Sequence, residues 1–452
     1  MSYYSYNSPF EDRYIGKKTS TIFSSAYKFT TWRILWVWLA EAEQKCGLPI
    51  TDTQIAQMKI KLSDIPYSRA KEIEEETRHD VVAHLKAYAE QCPDAAPIIH
   101  LGATSCYITD NADVMILRDA MNAIEASLFR VVDALSTMAV NMEDVPTVGR
   151  THFQPAQLTT VGKRAAMWAQ DFLLDYNNLV LQNRRLTPLG CRGATGTADS
   201  FLKLFNGNEV MVDTMEQYIV KKMGFNRAFP VSGQTYTRKQ DFYILQVLSG
   251  IAQSASKFAT DIRLLAGLGE ASESFGRNQV GSSAMPYKKN PIMCEKICGL
   301  SRYVIIGTQN AAITASTQWL ERTLDDSSNR RLLIPEMFMA TETILDTCLK
   351  VITGMSWNRD VIESHVAEQA ENTMVEGVLA ESVKRGGNRQ ELHEKLKRYT
   401  MNNKGMVAEK IADDPEFGLT YDEVCAIRDA PSTGMAEEQV RGFVCELPGQ
   451  AP

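Results

Sequence analysis

The chain has 452 residues, 44% hydrophobic and 23% charged, enough for two to four domains or one large core with appendages, held without disulfide staples. Its net charge of −7 argues against a nucleic-acid binder, which carries a basic surface, and leaves room for a local basic pocket around a small anion. No apolar run has the length of a membrane span, and the opening residues MSYYSYNSPFEDRY lack the charged and apolar regions of a secretory leader.

Residues up to about 104 read as a separate helical region punctuated by Pro49, Pro66, Pro93 and Pro97. No proline interrupts residues 98 to 145. Leu117, Met121, Ile124, Leu128, Val131, Leu135 and Met138 alternate steps of four and three there, a heptad stripe on one long helix. A second stripe runs through Leu158, Val161, Ala165, Trp168, Phe172, Tyr176 and Leu179. A short extended piece is expected between residues 185 and 235. Ile244, Leu248, Ile251, Ala255, Phe258, Ile262 and Leu265 form a third stripe. Weaker ones follow Ile297, Leu300 and Val304, then Met337, Ile344, Cys348 and Val351. After Trp357 the pattern shortens into small amphipathic helices broken by Gly386, Gly387 and Pro415. The reading is an all-α chain in three regions: 1–104, a central long-helix bundle over 105–357, and 358–452. Five long helices with narrow stripes pack nearly parallel, and a lone bundle of that length leaves apolar surface uncovered, so association with further copies is expected. The nine scattered cysteines read as reduced thiols of a cytoplasmic protein.

One polar segment stands apart, Glu273 to Pro291, ESFGRNQVGSSAMPYKKNP. It has no apolar period and carries Gly276, Gly281, Arg277, Lys288 and Lys289. A plain connector of that length is uncommon in a compact protein, and small residues with lysines suit a lid that closes over an anion. Neither a G-x-x-x-x-G-K-[ST] loop nor a G-x-G-x-x-G turn is present, so no phosphate loop or dinucleotide fold is expected. His79 and His84 are five residues apart, off the spacing that puts two ligands on one helix face, which disfavours zinc.

Gly281 to Pro291, GSSAMPYKKNP, resembles the signature of the fumarase/aspartase superfamily, whose members eliminate fumarate or a close analogue. TRHDVVAHLK (77–86), HLGATSCYITDN (100–111), GRTHFQPAQLTTVGKR (149–164) and ERTLDDSSNRR (321–331) resemble the adenylosuccinate lyase family, in its eukaryotic-type branch. The resemblance implies loss of fumarate from a succinylated purine nucleotide, with no cofactor, in a homotetramer whose sites are shared between subunits.

That chemistry needs a base at the succinyl carbon, an acid at the leaving nitrogen, and donors for the carboxylate that becomes electron-rich. The resemblance puts Ser282 at the base position, although Ser283 beside it is not separable by sequence. It puts His152 at the acid position and His79 in contact with substrate near the proton transfer. Lys288 lies where positive charge favours a deprotonated serine. It further implies substrate contacts at Thr151, Thr104, Ser105, Gln234 and Asn290. Arg13, Tyr14, Arg322, Ser327 and Arg331 match positions at the phosphate end, and Arg78 and Asp80 match contacts to phosphate and ribose. Lys296 stands where arginine is usual in related sequences; it keeps the charge and loses the bidentate fork. The bland alternatives are a loop serine, a structural histidine ahead of the Leu158 stripe, and a solvated helix face around residues 78–80. Rival functions are another lyase of the superfamily, acting on argininosuccinate, aspartate or malate, or a binding protein that kept the fold without activity.

Overall fold

A computed structural model of the chain describes residues 4–402, 405–430 and 432–447. The N-terminal region forms helices α1 (Lys17–Ile22), α2 (Ser25–Lys45), α3 (Asp52–Ile60), α4 (Tyr67–Thr77) and α5 (Asp80–Gln91). Local chemistry marks their starts. Ser24 accepts the backbone N–H of Tyr27 ahead of α2, and Thr51 closes a capping box with Gln54 on α3.

The stripes become long helices: α6 (Ser105–Asn141), α7 (Val161–Arg184), then, after the short α8 (Asp199–Leu204) and α9 (Glu209–Lys222), α10 (Lys239–Gly267), α11 (Ile292–Ser316) and α12 (Asp325–Gly354). Leu117, Met121, Ile124, Leu128, Val131 and Leu135 of α6 are buried, as is every stripe residue of α10. Smaller helices follow: α13 (Arg359–Glu368), α14 (Ala370–Lys384), α15 (Arg389–Asn402), α16 (Val407–Ala412), α17 (Tyr421–Asp429) and α18 (Ala436–Cys445). The chain is therefore all-α. None of its described helices is long and apolar enough to cross a membrane.

Two antiparallel strand pairs are present among the described residues: β1 (Pro146–Thr151) with β2 (Gln154–Thr160), and the two-residue β3 (Ala271–Ser272) with β4 (Ser356–Trp357). They correct two expectations. Leu158 belongs to β2, not to the start of the α7 stripe, because Val148 and Leu158 pair across the hairpin and bury together. Residues 185–235 hold no described strand. The irregular backbone at Gly190, where φ is 82°, and at Cys191 is satisfied by side chains instead: Asn111 exchanges two hydrogen bonds with Gly190, both 3.0 Å, and Glu216 accepts the Cys191 N–H at 2.8 Å.

The chain forms two compact units of discontinuous segments. The first comprises 1–129, 174–255 and 298–346; the second, 130–173, 256–297 and 347–452. In the first unit a core cluster gathers Trp32, Trp36, Tyr88, Tyr107 and Phe201. Polar contacts pin its long helices to one another: Asn183 to Asn122 at 2.6 Å, Ser254 to Asp175 at 2.6 Å, and Thr308 to the Leu245 carbonyl at 3.1 Å. In the second unit the Trp168 indole N–H donates to Asp261 at 2.8 Å and its ring meets Phe258 edge-on at 5.3 Å. The C-terminal helices of that unit enclose their own core of Met374, Val378, Leu392, Leu396 and Phe417.

Glu43 on α2 is the anomaly of the first unit. It is 0% exposed and neither carboxylate oxygen has a hydrogen-bond partner. Burial pushes its carboxyl up from an ordinary 4.5 to about 9. The fold then holds a proton that the unfolded chain has already released, so stability falls as pH rises from about 4.5 toward 9. Thermal melts of Glu43→Met against the unaltered protein test this. The substitution is expected to raise the midpoint clearly at pH 8 and little at pH 5; a gain equal at both pH values would contradict the account.

Candidate active site

The first unit contains a cavity of about 630 Å³ whose walls come from α2, the α4–α5 junction, α6, Gln234 and the start of α12. It brings together Arg78, His79, Asp80, Ser105, Gln234, Arg322, Ser327 and Arg331 of the residues singled out by sequence. Each is placed by its backbone. Arg78 ends α4 in the left-handed region at φ 53°, which turns the chain sharply into His79. His79 is the N-cap of α5: its Nδ1 accepts the Val82 N–H at 3.4 Å, leaving Nε2 3.4 Å from the Ser105 hydroxyl. An Nδ1 that accepts puts the proton of the neutral ring on Nε2, facing Ser105. Asp80 accepts the Val81 N–H at 2.8 Å and binds Arg331 at 2.6 Å. Burial raises its pKa, but Arg331 and the Val81 N–H outweigh that and hold the carboxyl below its usual value. Thr104 sits directly ahead of the α6 helix that Ser105 begins. Its carbonyl takes the Tyr107 N–H at 2.9 Å, and its hydroxyl at a helix start suits capping or an anion.

The floor of the cavity is a buried charge network that sequence reading missed. Arg238 reaches both oxygens of Asp110, at 3.0 and 3.2 Å, and Asp326 at 2.6 Å. Arg330 binds Asp241 at 2.8 Å, Asp113 at 2.9 Å and the Tyr236 hydroxyl at 2.6 Å. Tyr236 in turn donates its N–H to Asp110 and its hydroxyl to Asp241. Arg322 joins through Asp326 at 3.2 Å. A signal for this network exists in the sequence. Asp110, Asp241 and Arg330 each extend an apolar stripe by one step of three or seven residues, so a charge falls where the helix is buried.

Gln234 is held by its neighbours. Its N–H donates to the Glu321 carbonyl at 3.0 Å, its amide to the Ala194 carbonyl at 3.1 Å, and the Cys106 thiol reaches its side-chain oxygen at 3.5 Å. Arg13 and Tyr14 belong to the same unit but do not line the cavity. Their segment is anchored by Thr343, which donates to the Tyr14 carbonyl at 2.8 Å. The other histidines of this unit have structural partners. His84 stacks on Phe29 at 3.6 Å, and His100 accepts the Trp36 indole N–H at 3.0 Å. Burial lowers both to about 4.

The second unit holds the remaining residues. His152 and Phe153 form the two-residue tip between Thr151 and Gln154, with φ of 52° and 62°. Two consecutive positive φ values are the pattern of a type I′ turn, normally given to asparagine and glycine, so two bulky residues there store strain. The hairpin is held close to this tip, where Arg150 reaches the fully buried Glu270 at 3.4 Å and His365 meets the same carboxylate at 2.8 Å. In the signature loop, the Ser282 hydroxyl oxygen accepts the N–H groups of Ala284 at 3.3 Å and Met285 at 3.1 Å. Two donors on one oxygen stabilise negative charge there more than they stabilise a neutral hydroxyl. Asn290 donates to the Gly281 carbonyl at 2.9 Å, and a Cβ on Gly281 would lie 1.9 Å from the Lys288 carbonyl, so only glycine fits. Lys288 itself is exposed. Glu273 closes the loop by accepting the Met293 and Cys294 N–H groups at the start of α11, at 3.0 and 2.6 Å. Lys296 on α11 is half-buried, and burial together with Lys350 lowers its pKa.

A family model described as lyase matches residues 13–306. An adenylosuccinate lyase of Schizosaccharomyces pombe is 43% identical over 99% of this chain and 96% of its own length. One of Schistosoma mansoni is 40% identical over 97% and 94%. The chain belongs to the adenylosuccinate lyase family. Among solved structures, a fumarate lyase from Mesorhizobium sp. BNC1 has the same fold, with a TM-score of 0.83 at 22% identity over 95% of this chain and 98% of that one.

In this member of the adenylosuccinate lyase family the cavity floor depends on Arg238. Arg238→Met leaves the buried Asp110 to the Tyr236 N–H and the buried Asp326 to Arg322, and removing one member of a buried ion pair costs about 3–5 kcal/mol. A marked drop in the thermal midpoint is expected, measured by calorimetry. An unchanged midpoint would mean that the network is not structural.

Proposed function

We propose that this chain removes fumarate from adenylosuccinate, giving AMP, and from succinylaminoimidazole carboxamide ribotide, giving AICAR, as a step of purine nucleotide biosynthesis. Similarity to adenylosuccinate lyases over nearly the full length carries the reading. The cavity of the first unit supports it: arginines suited to a phosphate, a histidine with its Nε2 on a serine, and an aspartate share one space. Malate and aspartate have no phosphate for such arginines to bind.

In the proposed reaction Ser282, as alkoxide, takes a proton from the succinyl β-carbon. The C–H electrons form the double bond of fumarate, the C–N bond breaks, and His152 delivers a proton to the purine nitrogen. Lys288 and the two backbone N–H groups on Ser282 favour the deprotonated serine. Lys288, Asn290, Thr151 and Gln234 hold the succinyl carboxylates, with His79, Thr104 and Ser105 near the same end. Arg13, Tyr14, Arg78, Arg322, Ser327 and Arg331 serve the phosphate, Asp80 the ribose, and Lys296 adds positive charge. The step is redox-neutral and its acid and base are side chains, so the proposal assigns no cofactor.

The proposal extends to a cytoplasmic homotetramer with sites shared between subunits, acting on a small molecule with no nucleic-acid or membrane partner. The division near residues 104 and 357 into N-terminal, bundle and C-terminal regions belongs to it. Apolar side chains exposed at heptad spacing, Met167, Leu174 and Leu181 on α7 and Ile306 and Ile313 on α11, support burial against other copies.

Purified protein given adenylosuccinate, without added metal or nucleotide, is expected to lose substrate absorbance and release fumarate. No release from folded protein would turn the search to argininosuccinate, aspartate and malate. Ser282→Ala should keep the assembly and lose turnover by several orders of magnitude; near-normal activity would remove Ser282 from the base role. His152→Ala should lower kcat far more than it raises KM, and an effect confined to KM would place His152 in binding only.

A further inference from the structure

Six cationic side chains line the cavity of the first unit: Lys28, Arg78, Arg238, Arg322, Arg330 and Arg331. Four are already committed. Arg238 and Arg322 bind Asp326, Arg330 binds Asp241 and Asp113, and Arg331 binds Asp80. Arg78 is exposed at the end of α4. Lys28 differs from all of these. It rises from α2 into the cavity wall, half-buried, and among the described residues no carboxylate lies within 4 Å of its ammonium and no acceptor takes its N–H groups. The Phe29 and Trp32 rings stand at 5.4 and 4.9 Å from the nitrogen and fix the charge in place without neutralising it.

The charges around Lys28 are Asp113, Arg331, Asp80 and Glu74. The first is occupied by Arg330 and the third by Arg331. Burial is the largest cause that lowers the pKa of Lys28 and Arg331 adds to it, against Asp113, Asp80 and Glu74, which pull the other way. Lys28 and Arg331 feel each other's charge, Asp113 and Asp80 are already shared with arginines, and Glu74, which has no ion pair among the described residues, is the remaining carboxylate nearby, so a dianion is the ligand that pairs with both cations. A phosphomonoester carries about −1.5 to −2 near neutral pH and three acceptor oxygens. It satisfies both cations at once, Arg331 through its fork and Lys28 as a point charge.

We infer that Lys28 is a further binding residue for the nucleotide phosphate, beside Arg331. The inference rests on the proposed nucleotide reading, so its test separates the two. Titration calorimetry on the full assembly compares AMP with adenosine for the unaltered protein, Lys28→Met and Lys28→Arg. The unaltered protein is expected to bind AMP more tightly than adenosine. Lys28→Met is expected to weaken AMP about 10- to 100-fold while leaving adenosine within about twofold, and Lys28→Arg to recover most of the loss. Lys28→Gln, read in the same way, serves if the methionine variant does not fold. Unchanged AMP binding, or equal losses for AMP and adenosine, would overturn the inference. If the unaltered protein does not bind AMP, the nucleotide reading fails and this inference with it.

Discussion

Arg238 and Arg330 are the two side chains on which the first unit is organised. Arg238 is buried and Arg330 largely so among apolar stripes, where an unpaired guanidinium is untenable, so each must find carboxylates from other elements. Arg238 finds Asp110 on α6 and Asp326 on α12; Arg330 of α12 finds Asp113 on α6 and Asp241 on α10. Apolar stripes bring helices together but tolerate sliding by a heptad. A fork that reaches Asp110 at both oxygens tolerates almost none. The network thus sets the register of three long helices, and the cavity above it inherits that precision.

The candidate residues that line the cavity rest on this frame. Arg322 is oriented by the Asp326 that Arg238 already holds, and Arg331 follows Arg330 directly on α12. Across from them, Asp80 and His79 are set by the first turn of α5, where the carboxylate accepts the Val81 N–H and the imidazole the Val82 N–H. In the second unit the candidate acid and base sit on unusual backbone. His152 occupies a strained two-residue turn braced through Arg150, Glu270 and His365, and Ser282 lies in a loop tied at Glu273 and at Gly281. Strain of this kind persists only where surrounding contacts over-determine it, as those around Glu270 do.

Much of the bundle was legible because helical periodicity is a local property. The α6 and α10 stripes sit inside helices that bury them. The β1–β2 hairpin was not legible. Its turn uses His152 and Phe153 where asparagine and glycine are usual, and Leu158 follows the α7 spacing although it pairs with Val148. The candidate residues on either side of α4 and α5 could be named from motifs, and the cavity gathers many of them. The charge network could not: Asp110, Asp326 and Arg330 lie inside motifs that were read for substrate contacts, and nothing local shows that they pair with Arg238, Tyr236 and Asp241 from distant parts of the chain. Lys28 escaped for a simpler reason: a lysine early in an amphipathic helix looks like any solvated charge until its partners are known to be taken.

The claim that unites these observations is that the cavity above the arginine–aspartate network is the seat of a purine nucleotide. A crystal structure of the protein grown with AMP and fumarate tests it most directly. The account predicts the AMP phosphate among Arg322, Ser327 and Arg331, with its ribose toward Asp80 and the Arg238–Asp110–Asp326 contacts unchanged beneath it. AMP bound elsewhere on the chain, with this cavity holding only solvent, would contradict it.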